Sequence, residues 1–334
     1  MLSELAEILN FKVLILKSLY FKMQNIIIPS EFEARCFKLL GDDNINFLDF
    51  CKKPLRKCIR LNTLKVKNPD KFVENLNERY KLEKVPFCNY AYFIDSHNPG
   101  KMPEYFFGEI YIQDAASLIP PIALNLNPDG DEFVFDACAA PGSKTTQMAQ
   151  IMNNKGCIVA NDASDDRIKA LFFNLDVYGV LNVVVTGMNL ERMRTDEGLS
   201  RRFDKILMDA PCSCEGTVRK DWKVLSRWGV NLINFLSVQQ KKIIANAINM
   251  LKKDGTLVYS TCTLAPEENE GVIAHAVRNF DVEVEKIYIK NLKTREGITE
   301  WNGNDFGRDM KKCIRIYPQD NDTEGFFVAK LRKI

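Results

Sequence analysis

From residue 132 onward, short apolar runs alternate with amphipathic stretches. Phe133-Val134-Phe135-Asp136, Cys157-Ile158-Val159-Ala160, Val183-Val184-Val185, Lys205-Ile206-Leu207-Met208 and Thr256-Leu257-Val258-Tyr259 read as strands. Residues 143–152, 165–178, 231–251 and 266–280 read as helices between and after them. Residues 282–287 and 325–331 read as a last pair of strands. Continuous apolar strands alternating with helices predict an α/β fold, a doubly wound parallel sheet with helices on both faces. Ligands in such sheets bind beyond the carboxyl ends of the strands. Every motif described below falls at such an end.

The first hundred residues carry a different pattern. Residues 31–40 read as a helix that Gly41-Asp42-Asp43 should stop. A basic strand-like run, Leu55-Arg56-Lys57-Cys58-Ile59-Arg60-Leu61-Asn62, follows. Asn68-Pro69-Asp70 opens a second helix that runs to about 80, and 85–94 reads as strand. Pro99-Gly100 marks a boundary. Leu5, Ile8, Leu9, Val13 and Leu16 recur at helical spacing near the start, where Lys12 and Lys17 make the segment too charged to span a membrane. The expected organisation is a helical extension over 1–30, a small α+β domain over 31–100, and the domain of alternating strands and helices over 101–334.

Composition changes this picture little. The chain has 334 residues, 46% hydrophobic and 27% charged, with a net charge of +2, so a nucleic-acid partner depends on local clustering of charge. Ten cysteines and two histidines, His97 and His275, include no CxxC pair. Cys212 and Cys214 are one residue apart, which is not zinc-knuckle spacing. The expectation is reduced, metal-free thiols in a monomeric, cytoplasmic protein.

The first strand of the alternating region ends in Asp136-Ala137-Cys138-Ala139-Ala140-Pro141-Gly142-Ser143-Lys144-Thr145. The glycine spacing of a phosphate loop is absent, and so is GxGxxG. A small-residue loop without a pyrophosphate cradle suits adenosine carrying an amino acid. Asp162 ends the second strand about 20 residues on, where a carboxylate can bind both ribose hydroxyls. The fourth strand ends Met208-Asp209-Ala210-Pro211-Cys212-Ser213-Cys214, and the fifth ends Ser260-Thr261-Cys262-Thr263. Neighbouring strands thus each deliver a cysteine to one edge of the sheet. Pro266 suits the first turn of a following helix, whose dipole would favour the Cys262 thiolate if it pointed at the sulfur. A thiolate adding to C6 of cytosine makes C5 nucleophilic enough to take a methyl group from a sulfonium. Asp209 is placed to neutralise charge at ring N3.

Taken together, these motifs resemble the NOL1/NOP2/Sun (RsmB-like) family of RNA cytosine-5 methyltransferases. The likeness is carried by Arg60-Leu61-Asn62-Thr63-Leu64, Gln113-Asp114-Ala115-Ala116-Ser117, the 136–145 loop, Asp209 to Ser213, Ser260-Thr261-Cys262 with Glu267-Glu268-Asn269-Glu270, and Gly325 to Lys330. The resemblance implies a Rossmann-like class I methyltransferase fold and S-adenosyl-L-methionine as cofactor. Cys262 would add to C6 and Cys212 would assist product release, with Lys144 beside the methyl-transfer site and Asp162 on the ribose. This order is not readable from spacing, because DNA cytosine methyltransferases use their Pro-Cys cysteine for the addition. Cys138, Ala139, Ala140, Pro141, Gly142, Ser143, Lys144, Asp162, Arg167, Asn189 and Asp209 are the expected cofactor contacts. Three departures stand out: Ser143 and Cys214 replace usual glycines, and Asn189 replaces an acid that commonly meets adenine.

Three basic runs complete the reading: Lys52 to Lys67, then Arg219, Lys220, Lys223 and Arg227 interleaved with Trp222 and Trp228, and finally Lys311, Lys312 and Arg315. They predict a phosphate track with aromatic residues that stack on splayed bases. The expected substrate is RNA, in an archaeal-type tRNA member because the chain has no long basic tails, with ribosomal RNA as runner-up. The competing reading is a catalytically silent RNA-binding or ribosome-assembly protein.

Overall fold

The structure, a computed structural model, describes residues 28–96, 98–193 and 200–334. The expected N-terminal amphipathic helix and His97 lie outside the described residues. The chain opens with α1 (Ser30–Leu40). Gly41-Asp42-Asp43 forms a turn of 3₁₀ helix that leads into α2 (Asn44–Cys51), an element the sequence reading missed. Phe47 and Cys51, four residues apart, bury themselves against Phe32 and Cys36 of α1, and that contact carries the helix past its apparent stop.

A four-stranded antiparallel sheet follows. It contains β1 (Cys58–Leu61), β2 (Leu82–Lys84), β3 (Ala91–Ile94) and β4 (Ile110–Ile112), in the order β2-β3-β1-β4. Helix α3 (Pro69–Arg79) starts where expected. Asn68 Oδ1 accepts from the Lys71 amide at 3.2 Å, and Pro69 occupies the first turn. Because β4 pairs with β1, the strand pairing of this unit runs through to residue 112, past Pro99-Gly100. The two short helices α4 (Pro103–Phe106) and α5 (Ile119–Ala123) bracket this last strand.

The main sheet contains β5 (Phe133–Asp136), β6 (Cys157–Asn161), β7 (Val183–Thr186), β8 (Phe203–Asp209) and β9 (Leu251–Thr261), which are parallel to one another in the order β7-β6-β5-β8-β9. Helices α6 (Ser143–Ile151), α7 (Asp165–Val177), the short α8 (Val224–Arg227), α9 (Val230–Met250) and α10 (Glu270–Asn279) connect and cover them. The sheet is mixed, not wholly parallel. Beyond β9 it continues antiparallel through β15 (Phe326–Lys333), β14 (Ile314–Ile316) and β11 (Arg295–Glu296), and β10 (Val282–Glu285) also pairs with β15. The remaining elements are the hairpin β12 (Glu300–Trp301) and β13 (Asn304–Asp305), and the single turn α11 (Pro318–Asn321). The parallel half has the Rossmann-like doubly wound order. From β5 the chain moves outward to β6 and β7, then returns to β8 on the other side. The topological switch point therefore lies between β5 and β8, where a ligand crevice is expected.

The two sheets are joined by buried polar contacts. Arg60 of β1 is 1% exposed and donates to Gln150 Oε1 at 2.8 Å and Thr146 Oγ1 at 2.6 Å, both on α6. Asn62 donates to the carbonyls of Gly108 and Tyr178. Gly108 has φ +68°, and a Cβ there would sit 2.1 Å from the Val177 carbonyl oxygen, so this junction admits no side chain. Arg60 is thus a strut between units and does not belong to a phosphate track. The same correction applies to two further members of the basic runs. Arg219 is 6% exposed and bonded to the Lys53, Pro54 and Thr323 carbonyls and to Asp322. Arg315 is 1% exposed and paired with Glu270. Lys52, Lys53, Lys57, Lys65, Lys67, Lys223 and Arg227 are exposed.

Candidate active site

Two strand ends build the chemical centre. β8 and β9 run side by side in register, with Met208 opposite Tyr259 and Asp209 opposite Ser260. The loops that leave them bring Cys212 Sγ to 3.3 Å from Cys262 Sγ. The loops are also fastened to each other. The Gly216 amide donates to the Cys262 carbonyl, and the Gly325 amide donates to Gly216, each at 2.9 Å. A Cβ on Gly216 would lie 2.2 Å from the Gly325 oxygen, so only glycine allows this approach. Behind Cys212, Ser213 is held through its amide and hydroxyl by Glu268, which also accepts from Gln240 Nε2 at 2.8 Å. Burial pushes the Glu268 carboxyl up to about 7, against the opposing effect of the Ser213 and Gln240 bonds.

Lys144, on the first turn of α6, reaches across to β8. Its Nζ lies 2.6 Å from Asp209 Oδ2 and 3.0 Å from Ser117 Oγ. Asp209 Oδ1 accepts from Ser260 Oγ at 2.7 Å. Both Asp209 oxygens thus have partners within the protein, and the ion pair with Lys144 fixes the carboxylate in the lining of the cavity that Cys212 and Cys262 also line.

A cavity of about 400 Å³ opens at the switch point. Among the expected cofactor residues, Cys138, Ala140, Asp162, Arg167, Asn189 and Asp209 line it, together with Cys212 and Cys262. Ala139, Pro141, Gly142, Ser143 and Lys144 lie outside its lining. The loop turns away at Gly142, which packs toward Leu171, while Asn174 donates to the Pro141 carbonyl at 2.7 Å. The sequence reading missed Ala137, Met188 and Ile243 among the lining residues; only their position beyond strand ends or on α9 pointed to them. Asp162 is buried at the rim. Its Oδ2 accepts from the Ala140 amide at 3.1 Å and lies 3.3 Å from Arg167 Nη1, and its Oδ1 accepts from the Ser164 amide. Asn189 Oδ1 accepts from the Glu191 amide at 3.1 Å and so helps to shape the loop after β7.

Helix α10 begins at Glu270, eight residues past Cys262, and residues 266–269 form turns, so Pro266 precedes the helix and is not in its first turn. Cys212 is held well above the ordinary thiol range, first by its hydrogen bond with Cys214, then by the contact with Cys262 and by burial. For Cys262 the Cys212 contact favours the thiolate, but Cys214 and burial outweigh it and hold the thiol high. Cys214 moves the other way, because hydrogen bonds from Cys212 and Cys262 stabilise its thiolate.

Beneath the loop, Asp136 is 1% exposed, and its Oδ2 accepts from Thr145 Oγ1 at 2.7 Å while Oδ1 has no partner. Burial pushes its carboxyl up to about 7, opposed by the Thr145 bond. Its folded-state pKa lies above the unfolded value, so its contribution to stability is present in acid and is lost as pH rises toward 7. Asp136→Asn is therefore expected to stabilise the fold by about 1–3 kcal/mol at pH 8 and to be neutral near pH 4. Thermal melts of both proteins across that range check this. An equal shift at both ends would show that the carboxyl does not titrate in the fold.

Two family models match this chain: "16S rRNA methyltransferase RsmB/F" over residues 123–332, and "N-terminal domain of 16S rRNA methyltransferase RsmF" over residues 28–115. The chain belongs to the RsmB/F methyltransferase family. Its similarity to a tRNA (cytosine(49)-C(5))-methyltransferase of Pyrococcus abyssi is 43% identity over 295 residues, 87% of this chain and 93% of that protein. Ribosomal RNA small subunit methyltransferase F of Vibrio atlanticus is 38% identical over 93% of this chain, which spans only 65% of that relative's length. Among solved structures, a methyltransferase homologue from Pyrococcus horikoshii superposes with a TM-score of 0.81 at 35% identity, covering 95% of this chain and 99% of the other. NSun6 from the same organism, with SFG, gives a TM-score of 0.76 at 25% identity, covering 91% and 98%. The family is the one the sequence motifs resembled, and its methyl donor is S-adenosylmethionine. The residues present fit that donor. The cavity lies at the switch point, has small residues (Ala137, Cys138, Ala140) on one wall and a buried carboxylate at its rim, and opens onto the thiols. No helix among the described residues is long and apolar enough to cross a membrane.

Proposed function

We propose that this chain methylates carbon 5 of a cytosine in tRNA, with Cys262 as covalent nucleophile. The observation that carries the reading is the 3.3 Å approach of two thiols at the mouth of the cofactor cavity, beside the Lys144–Asp209 pair. S-adenosylmethionine supplies an electrophilic methyl group. Cys262 loses its proton to solvent and its sulfur adds to C6 of the ring, while N3 takes up a proton from solvent. The electron pair released to C5 takes the methyl group. Cys212, next to the adduct sulfur, first loses its own proton to solvent and then, as thiolate, accepts the C5 proton. The C5–H electrons re-form the C5–C6 double bond, Cys262 leaves as thiolate, and N3 loses its proton. Asp162 is the ribose ligand in this scheme. Lys144 holds Asp209 in place at the wall that the base must pass.

A target inside a helix must be turned out of its stack to reach the thiols. Exposed Lys52, Lys53, Lys57, Lys65 and Lys67 on the N-terminal unit, with Lys223 and Arg227 near α8, supply phosphate contacts. Trp228 is not a stacking platform, because its Nε1 donates to Glu215 at 2.7 Å and its ring packs edge-on to Phe32 at 5.4 Å.

The degree of similarity favours tRNA: the chain is 43% identical to the Pyrococcus tRNA enzyme and 38% identical to the Vibrio ribosomal RNA enzyme. Incubation with labelled S-adenosylmethionine and either unmodified tRNA or 16S rRNA, read by bisulfite sequencing, tests this. Label at a tRNA cytosine is expected. Label confined to 16S rRNA would transfer the substrate to the ribosome, and label in neither would leave an RNA-binding protein.

A further inference from the structure

Cys214 is absent from the reaction scheme above, yet it stands in the chemical centre. Its sulfur, with those of Cys212 and Cys262, forms a group in which all three lie within 4.8 Å of one another. All three residues line the cavity. Its backbone is also unusual for its residue type. Cys214 has φ +61° and ψ +24°, the left-handed region, where a side chain costs about 1 kcal/mol and glycine costs nothing. A cysteine held in that conformation, its sulfur 3.3 Å from the Cys212 carbonyl oxygen and within 4.8 Å of the two other sulfurs, is a geometry with a chemical consequence.

We propose that Cys212, Cys214 and Cys262 form a zinc-binding site, three thiolates with a fourth position open to the cavity, that silences the enzyme by occupying its nucleophile. Zinc takes thiolate ligands at about 2.3 Å, so sulfurs in a tetrahedral set stand about 3.8 Å apart. The trio is close to that spacing: Cys212 and Cys262 stand 3.3 Å apart and no pair of the three sulfurs is more than 4.8 Å apart. The ligands sit on loops tied together by the Gly216 and Gly325 backbone bonds, so the site is formed before the metal arrives. No histidine or carboxylate joins the trio among the described residues, which leaves the fourth position for water. Spacing in the sequence pointed away from zinc because Cys262 lies 50 residues from Cys212 along the chain. The silencing half of the inference rests on Cys262 as nucleophile; the binding half does not.

The test is titration of the reduced full-length chain with zinc ion alone against a chromophoric chelator. Cadmium is then used to read thiolate charge-transfer absorption. One tightly held ion per chain is expected, with a three-thiolate band. Cys214→Gly, which suits the left-handed backbone, should lower zinc affinity by at least about 100-fold. The zinc concentration that halves methylation should rise by the same factor. Zinc binding undiminished in Cys214→Gly, or retained in the triple variant C212A/C214G/C262A, overturns the site. If zinc binds as expected but Cys262→Ala still methylates, the catalytic reading fails and the metal site stands.

Discussion

Cys262→Ala is expected to abolish methylation, by at least about 10⁴-fold, or about 5 kcal/mol of barrier. Without the sulfur at C6, C5 has no enamine electron pair to offer. Cys212→Ala should fail differently. Its neighbour can still add to the base and the methyl can still be transferred, but the C5 proton has no acceptor 3.3 Å from the adduct sulfur. A protein–RNA complex that survives denaturing electrophoresis should accumulate, and should vanish in the C212A/C262A double variant. Methylation by Cys262→Ala within about tenfold of wild type would remove the covalent route. An adduct formed by Cys262→Ala and not by Cys212→Ala would exchange the two roles.

Arg315→Met is expected to cost 3–5 kcal/mol of stability, or a fall in Tm on the order of 10 °C. The guanidinium and the Glu270 carboxylate are both buried and meet through two bonds of 2.6 Å. Arg315 also donates to the Leu264 carbonyl at 3.0 Å, two residues past Cys262. Glu270 accepts in addition from the Ile298 amide at 3.0 Å. Removing the cation leaves a carboxylate without solvent or counter-charge at the start of α10. The double variant R315M/E270Q should recover much of the loss, because the buried charge goes with its partner. Urea denaturation of the three proteins checks this. A single-variant loss below about 1 kcal/mol would mean that water reaches the pair.

Much of the site was legible because its residues lie in contiguous motifs at strand ends. The chain order Asp136-to-Thr145, Asp162, Asp209-to-Cys212, Cys262 follows β5, β6, β8 and β9, and parallel strands deliver all their carboxyl ends to one edge. The meeting of Cys212 and Cys262 followed from that alone. Electrostatics was less legible. Arg60, Arg219 and Arg315 looked like phosphate ligands in one dimension, and each is an internal strut. A run of basic residues records charge, and only burial shows which heads point inward. Asp209 illustrates the same limit, since its partner Lys144 lies 65 residues earlier in the chain.

By itself, then, the sequence determined the β/α alternation, the position of the cofactor loop at a strand's carboxyl end and the two cysteines on neighbouring strands. These depend on local periodicity and on chain order, which one dimension holds. Tertiary structure alone decided the antiparallel half of the sheet, the helix of residues 44–51 and the inward turn of three arginines. It also decided the approach of Cys214 to the catalytic pair. Each of these depends on groups far apart in the chain sharing one desolvated space, where packing and pairing outweigh local preference.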